Sequence, residues 1–499
     1  MAPRNHPNRT ASSGGDAETA EYPQELRRGL GLWSTFSIGF ATISPVVGIY
    51  SVVSLGYVTI GPAWVWIIPL VLVLQLSVAY VYAELASQWP LAGGCYQWVR
   101  RLVGGRLGWF TGFLYLASAA ASLTTVAYLG GPWLFLLVAG RAPNPTEQIT
   151  CAAVLLVLSL AVNHWGINPL KWFLNAGIIA EAVASVGIGL VLLFFFRNHG
   201  FSILFTVAEE STGTVGFLAA LAVGGWAFLG FDAATQVAEE STHAERDVPR
   251  AILRSLLAVG LVVMLTAFSV TLSLRDVAAA HAGAIADPVS AAIVESFGTW
   301  AERPFFAVVL VAFLACAVSV QTYLARAIYG MARDGALPAA RALRKLNRNQ
   351  VPHVALATVT VIASAGLLLG IDGQAAGTLI AFGSGGLYIV FLVVTGSALW
   401  ARTTGRVRAG GETLQLGRRG LSINILAVVW LVFETVNVAW PRVELAPPGA
   451  PWYVVWAVVI VFLVLALVAF VYGIKAKPYL RISAEGEHRR PSVLTGRDQ

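Results

Sequence analysis

The chain has 499 residues, 57% of them hydrophobic and 12% charged, with a mean hydropathy of +0.72. Soluble proteins carry about 25% charged residues, so this sequence cannot cover the water-facing surface of a soluble molecule its size. Its 33 Lys and Arg against 26 Asp and Glu give a net charge of +7, a surplus whose placement excludes the need for a nucleic-acid partner.

In chain order, residues 1–28 come first. They are polar, contain the run Ser12-Ser13-Gly14-Gly15 and lack the apolar stretch of a secretory signal, so they predict a disordered cytoplasmic tail. Twelve apolar segments follow, at 31–56, 62–86, 108–138, 147–165, 169–196, 215–241, 250–274, 302–331, 353–371, 376–400, 420–440 and 451–473. Most reach the roughly 20 residues that cross a bilayer as a helix. Their unbroken apolarity excludes a β-barrel, whose strands alternate. A second cytoplasmic tail is expected over 474–499. With the N-terminus inside, 28 of the 33 Lys and Arg fall on the cytoplasmic side, and only Arg141, Arg197, Arg275, Arg303 and Arg442 fall outside. The positive charge is thus a topology signal. Cys95, Cys151 and Cys316 lie at or inside apolar segments without paired spacing, as small core residues do.

Two segments are interrupted. The first reads Ile38-Gly-Phe-Ala-Thr-Ile-Ser-Pro-Val-Val-Gly48, and the sixth reads Ala222-Val-Gly-Gly-Trp-Ala-Phe-Leu-Gly-Phe-Asp232. Proline removes a backbone donor and clashes with the preceding turn, and glycine loosens the helix around it. Breaks five spans apart are what two inverted five-helix repeats require. The expected organisation is therefore one repeat over 29–200, a second over 201–400, and two further helices over 401–473.

Backbone groups freed in a membrane must line a cavity or bind something. After Ile43 and Ser44, Pro45 opens a half-helix whose N–H groups at Val46, Val47 and Gly48 favour an anion. The half-helix that ends near Ala227 to Leu229, just before Gly230, presents carbonyls, which favour a cation. The two poles together suit the backbone of an α-amino acid. Trp226 and Phe228 flank the sixth-span break, either covering a ligand or packing the bundle. Carboxylates inside spans are expensive and are functional candidates by default. Asp232 follows the break and would serve the site or cap the next half-helix. Glu181, midway along the fifth span, would carry a coupling proton or hydrogen-bond a neighbouring helix. Ser319 and Thr322 of the eighth span offer hydroxyls to an ion or to their own helix. Glu84, Glu239 and Glu240 read as gate or loop contacts, and Glu434 carries no expected role.

The stretch Ala83-Glu-Leu-Ala-Ser-Gln-Trp-Pro-Leu-Ala-Gly-Gly-Cys-Tyr-Gln-Trp98, the run Phe228-Leu-Gly-Phe-Asp232 followed by Ala238-Glu-Glu-Ser241 and Asp247-Val-Pro-Arg-Ala-Ile252, and Ala332-Arg-Asp-Gly-Ala-Leu-Pro338 resemble the amino acid–polyamine–organocation transporter superfamily. The flavour is that of its amino acid/choline branch, which includes GABA permeases. The resemblance implies an all-α polytopic protein of about twelve membrane helices, with a leucine-transporter-type five-plus-five inverted repeat, broken helices 1 and 6, and alternating access. It also implies that Trp226 gates, that Ile43, Trp226 and Leu229 offer carbonyls to a substrate amine, and that Ser319 lies near an ion site. Glu181 stands where some relatives carry a lysine, and Ser44-Pro45-Val46-Val47-Gly48 stands where many have Gly-Ser-Gly.

The expected function is a permease for an amino acid or related amino compound, with a proton or a sodium ion as co-substrate. Carboxylate-free cations such as choline or polyamines are the alternative. No motif of an enzyme, metal site or cofactor is present, and the expected partners are a small-molecule substrate and the lipid bilayer.

Overall fold

The computed structural model describes residues 25–208, 213–371, 376–405, 414–441, 451–476 and 478. Among these it is all-helical apart from one isolated bridge, Leu30 to Ser241. Eleven stretches are long and apolar enough to cross a membrane. The first of them, Leu32–Gln88, holds 57 residues, far more than the roughly 20 needed for one crossing. It bends at Gly61, whose φ is 70°, and Trp64 folds back against Gly56 and Tyr57. It therefore supplies two of the twelve expected crossings.

The spans, numbered in order, begin with a first made of Leu32–Ile43 and Pro45–Ile60, a second Ile67–Gln88, a third Gly105–Ala139 and a fourth Pro145–His164. The fifth runs Ile167–Glu181, passes through a π-helical turn at Ala182–Gly187 and ends as Ile188–Phe195. The sixth comprises Thr214–Gly224, a tight turn Gly225–Phe228 and the short helix Ala233–Gln236. The seventh is Ala244–Ser273, the eighth Glu302–Arg333, the ninth His353–Gly366 continuing to Gly370, the tenth Ala376–Thr403, the eleventh Gly420–Ala439 and the twelfth Ala457–Ala476.

Differences from the sequence reading have physical causes. The seventh span starts six residues before the expected 250, because Glu245 and Asp247 in its first turn suit a helix N-terminus although they interrupt the apolar run. The short helices Gly94–Leu102 and Pro288–Phe297 were not anticipated, since a search for membrane-length apolarity passes over elements of ten residues or fewer. Most of the expected tails, 1–28 and 474–499, lie outside the described residues. Where the N-terminal tail is described, it is docked rather than loose. Leu26 is buried, Glu25 accepts a hydrogen bond from the Tyr329 hydroxyl, and the N–H groups of Gly29 and Leu30 donate to the Glu240 carbonyl at 2.9 and 3.0 Å.

Burial is deepest in the first, third, sixth and eighth spans. The twelfth is peripheral, with Ala469 its one buried side chain among the described residues. Small residues let the inner helices approach: a Cβ on Gly177 would lie 2.4 Å from that of Ala315, and one on Gly130 would lie 2.9 Å from Leu155.

Candidate transport site at two crossing helix breaks

Ser44 makes the first break. Its N–H closes the first half-helix onto the Phe40 carbonyl at 2.8 Å, and its backbone then enters a positive-φ conformation (φ 49°, ψ 107°) rare for a residue with a side chain. Pro45 takes the first position of the second half, where its missing N–H costs nothing. The second break is a tight turn at Gly225–Phe228, an extended Leu229, and Gly230 at φ 95°. The two breaks meet face to face. A Cβ on Gly230 would lie 2.6 Å from the Thr42 methyl, and one on Gly48 would lie 3.3 Å from the Cβ of Ala227. Only glycine fits both the conformation and the space at 230.

A cavity of about 30 Å3 lies at this crossing. Ile43 and Val47 line it from the first span, Trp226, Leu229 and Gly230 from the sixth, and Tyr323 from the eighth. It has room for about one water and none for an amino acid, so the structure is a closed form. Five of the expected binding residues thus line it: Ile43, Val47, Trp226, Leu229 and Gly230. Ser44, Val46, Gly48, Phe228 and Asp232 do not.

Two of the three amides expected to be free are engaged. The Val47 N–H donates to Ser44 Oγ at 3.2 Å, and the Gly48 N–H donates to the Ser44 carbonyl at 2.9 Å. The serine caps its own half-helix, which the freed-backbone argument overlooked. Among the described residues, this leaves the Val46 N–H as the available donor of the three. On the cationic side, the Trp226 carbonyl accepts from the Leu229 N–H at 3.2 Å and keeps one lone pair.

Ser44 also donates to Glu181 Oε1 at 2.9 Å. Glu181 is 1% exposed, its Oε2 has no hydrogen-bond partner, and the π-helical turn begins at the next residue. Such turns occur frequently at functional sites. The fifth-span carboxylate is therefore held against the hinge of the first span. Ser319 shares a hydrogen bond of 2.7 Å with Thr42 and donates to the Ile38 carbonyl at 2.9 Å, so it too is tied to the first half-helix. Thr322 is not. It donates to Asn163 Oδ1 at 2.5 Å and to the Val318 carbonyl at 2.7 Å, in a buried polar cluster with Gln321 and the fourth span. One helical turn separates Ser319 from Thr322, but they serve different neighbours.

Asp232 is 2% exposed and caps nothing: no side-chain cap is made to Ala233–Gln236. Its electrostatic neighbours are Tyr82, Cys95, Tyr115 and Tyr323. Its Oδ2 has no hydrogen-bond partner. It is not among the residues that line the cavity, whereas its electrostatic neighbour Tyr323 is. Phe228, 0% exposed, packs in the core.

Glu84, Glu239 and Glu240 all form ion pairs at the Lys/Arg-rich end. Glu240 pairs with Arg326 at 2.7 Å, Glu239 with Arg333 at 2.8 Å and Glu84 with Arg402, while Arg100 pairs with Asp334 at 3.0 Å. Glu239 further accepts the Ala92 N–H at 3.0 Å. These bonds tie the eighth span and the loop after the second to the segment that follows the sixth, and the second span to the tenth.

The sequence reading missed several residues. Ser122 and Cys316 line the cavity from the third and eighth spans. Glu434, which it left without a role, is fully buried, and a Cβ on Gly225 would lie 2.2 Å from the Tyr388 hydroxyl and 3.2 Å from the Glu434 carboxylate. A carboxylate therefore stands beside each break. Its place inside an apolar span was the available signal for Glu434.

A bundle of membrane-length apolar helices, two of them broken and crossing at a small cavity, is the architecture of a polytopic membrane carrier. The chain belongs to the amino acid permease family, whose model matches residues 30–472. It is a transporter and not an enzyme. It is 25% identical over 476 residues to a protein described as an amino-acid permease BAT1 homolog of Oryza sativa subsp. japonica, covering 86% of this chain and 89% of that one. It is 24% identical to the choline transporter of Saccharomyces cerevisiae, over 86% of this chain and 78% of that one. It is 25% identical to the L-methionine/branched-chain amino acid exporter YjeH of Escherichia coli, over 67% and 75%.

Proposed function

We propose that the protein moves an amino acid or a closely related amino compound across the cell membrane by alternating access, with both termini cytoplasmic and with a proton as the favoured coupling ion over sodium. The observation that carries this reading is the junction of the hinge residue Ser44 with the buried carboxylate Glu181, beside a cavity too small for the substrate. Binding requires the half-helices to move, and the carboxylate bonded to their hinge is placed to sense that motion. The two halves are read as inverted repeats over 29–200 and 201–400. In this reading the Val46 amide faces the substrate carboxylate, the carbonyls around Leu229 face its amine, and Trp226 covers it. Ser319 braces the first half-helix against the eighth span, and Asp232 acts in gating through Tyr323.

A second reading has support of its own. With Val47 and Gly48 engaged, the anion pole is weak, while Trp226 and Tyr323 offer aromatic surface to a cation. A carboxylate-free substrate such as choline suits that balance, as the name of the yeast relative also suggests.

A thermal-shift panel of amino acids, GABA, choline, polyamines and purine bases on the purified protein separates the two, because a ligand that binds only the folded state raises stability by mass action. Stabilisation by zwitterions selects the first reading, and stabilisation by choline or polyamines alone selects the second. With the responding ligand in proteoliposomes, Glu181→Gln is expected to abolish stimulation of uptake by a proton gradient. An unchanged pH profile in that variant refutes proton coupling through Glu181.

A further inference from the structure

A second cavity lies apart from the crossing. The third, eighth, ninth and twelfth spans enclose it, its volume is about 460 Å3, and it shares no lining residue with the first. That volume falls in the roughly 300–1,000 Å3 range of small-molecule sites. Its walls are apolar, formed by Phe113, Leu116, Ala120, Leu324, Ile328 and Val359. An amino acid would strand its charges there.

The cavity opens on the outside of the bundle, where lipid lies: Ile362 and Val468 on its rim are each 49% exposed. Its mouth is at the Lys/Arg-rich end. Trp109 and Tyr472 stack there at 5.7 Å, and Trp109 Nε1 donates to the Ala336 carbonyl at 2.9 Å, as amphipathic rings do at a membrane interface. Leu343 lines the mouth, and its neighbours Arg341, Arg344 and Lys345 are exposed. Lys475, also exposed, follows Tyr472 by three residues. None of these four cations has an ion-pair partner among the described residues. The twelfth span, which closes one wall, buries only Ala469, so packing alone holds it weakly.

An apolar chamber beneath unpaired cations matches both ends of one kind of molecule. We propose that this crevice holds an acyl chain of an anionic phospholipid from the adjoining leaflet, with the headgroup on Arg341, Arg344, Lys345 and Lys475. The lipid fills the gap between the twelfth span and the third and eighth. The inference does not depend on which substrate is carried.

Native mass spectrometry of the full-length protein in detergent tests it, with titration by phosphatidylglycerol and by phosphatidylcholine of the same acyl chains. The wild type is expected to bind phosphatidylglycerol at least about tenfold more tightly. A basic residue near a lipid surface contributes about fivefold in affinity, so Arg341→Gln with Arg344→Gln should lower phosphatidylglycerol binding about 25-fold and narrow its preference over phosphatidylcholine by the same factor. Ala117→Phe, which fills the chamber and leaves the cations, should weaken both lipids. The substituted arginines are on the surface, so their result stands even where Ala117→Phe does not fold. Equal binding of the two lipids by the wild type overturns the proposal. So does unchanged phosphatidylglycerol binding in the arginine variant, or glycerol phosphate binding as tightly as the whole lipid.

Discussion

Gly230→Ala is the most informative single substitution at the crossing. Gly230 sits at φ 95°, and its Cβ would be 2.6 Å from the Thr42 methyl. Holding an L-residue in the left-handed region costs about 1–2 kcal/mol, and forcing a methyl into a packed contact costs about 1–3 kcal/mol. Thr42 cannot simply turn aside, because its hydroxyl is bonded at 2.7 Å both to the Ile38 carbonyl and to Ser319. The closed crossing should therefore lose about 2–5 kcal/mol against any arrangement that parts the breaks, at least about a 30-fold shift in population. Cys316 reports it, since it lines the cavity and is 0% exposed. In a background with Cys95 and Cys151 replaced, its modification by a thiol reagent should accelerate at least about tenfold in Gly230→Ala. Adding Thr42→Ser removes the clashing methyl, keeps the hydroxyl and should recover the packing part of the loss. Wild-type labelling of a folded Gly230→Ala protein, or no recovery with Thr42→Ser, would refute the account of the crossing.

Arg326→Gln leaves Glu240 buried without its partner, a loss of about 3–5 kcal/mol. It should speed Cys316 labelling from the Lys/Arg-rich end, as measured with an impermeant reagent on oriented vesicles. Tyr50→Ala removes the ring that meets Trp133 at 5.1 Å and Phe305 at 6.0 Å, and should speed labelling from the opposite end. Ser44→Ala deletes the cap on Val47 and the donor to Glu181, and should lower thermal stability by about 0.5–2 kcal/mol while shifting the pH profile of uptake. Ser319→Ala should alter the response of transport to the driving ion. Thr322→Val should lower thermal stability through the lost bond to Asn163 and leave that response unchanged.

The spans and both breaks were legible because lipid imposes a rule that the sequence must obey locally: apolar residues over a fixed length, and Pro or Gly where the backbone opens. Trp226, Leu229 and Gly230 lie where that rule points, and they line the cavity at the crossing. The missed features depend on contacts distant in sequence. Whether a Ser44 hydroxyl caps its own helix or faces a ligand is decided by the geometry at Pro45 and by Glu181, 137 residues away. Ser319 and Thr322 are alike in sequence, and only the packing of the first span against one hydroxyl and of the fourth against the other separates them. Asp232 follows the break as its position announced, but it is buried beside Tyr82 and Tyr115 and is not among the residues that line the cavity.

The two ends of the bundle are closed by interactions of different kinds, and this bears on how a carrier of this design works. At the Lys/Arg-rich end the closure is ionic: Arg326 with Glu240 and Arg333 with Glu239, all four side chains at most 10% exposed. Buried pairs of this kind resist partial opening, because separating them leaves charges without partners in a poorly solvated place. At the other end the closure is aromatic, with Tyr50, Trp133, Phe305 and Phe306 in edge and tilted contacts. Such contacts can be remade one at a time at about 0.5–1.5 kcal/mol each. The cavity between them holds about one water, so a substrate cannot wait there for a gate to open. It must enter as a closure yields and refill the space that the closure gives up. The residues joining the crossing to the ion pairs are those between Gly230 and Glu239 and Glu240. That ten-residue connection begins at Gly230, whose positive φ no other residue could share without strain, so a change in the backbone there is carried directly toward the ion pairs.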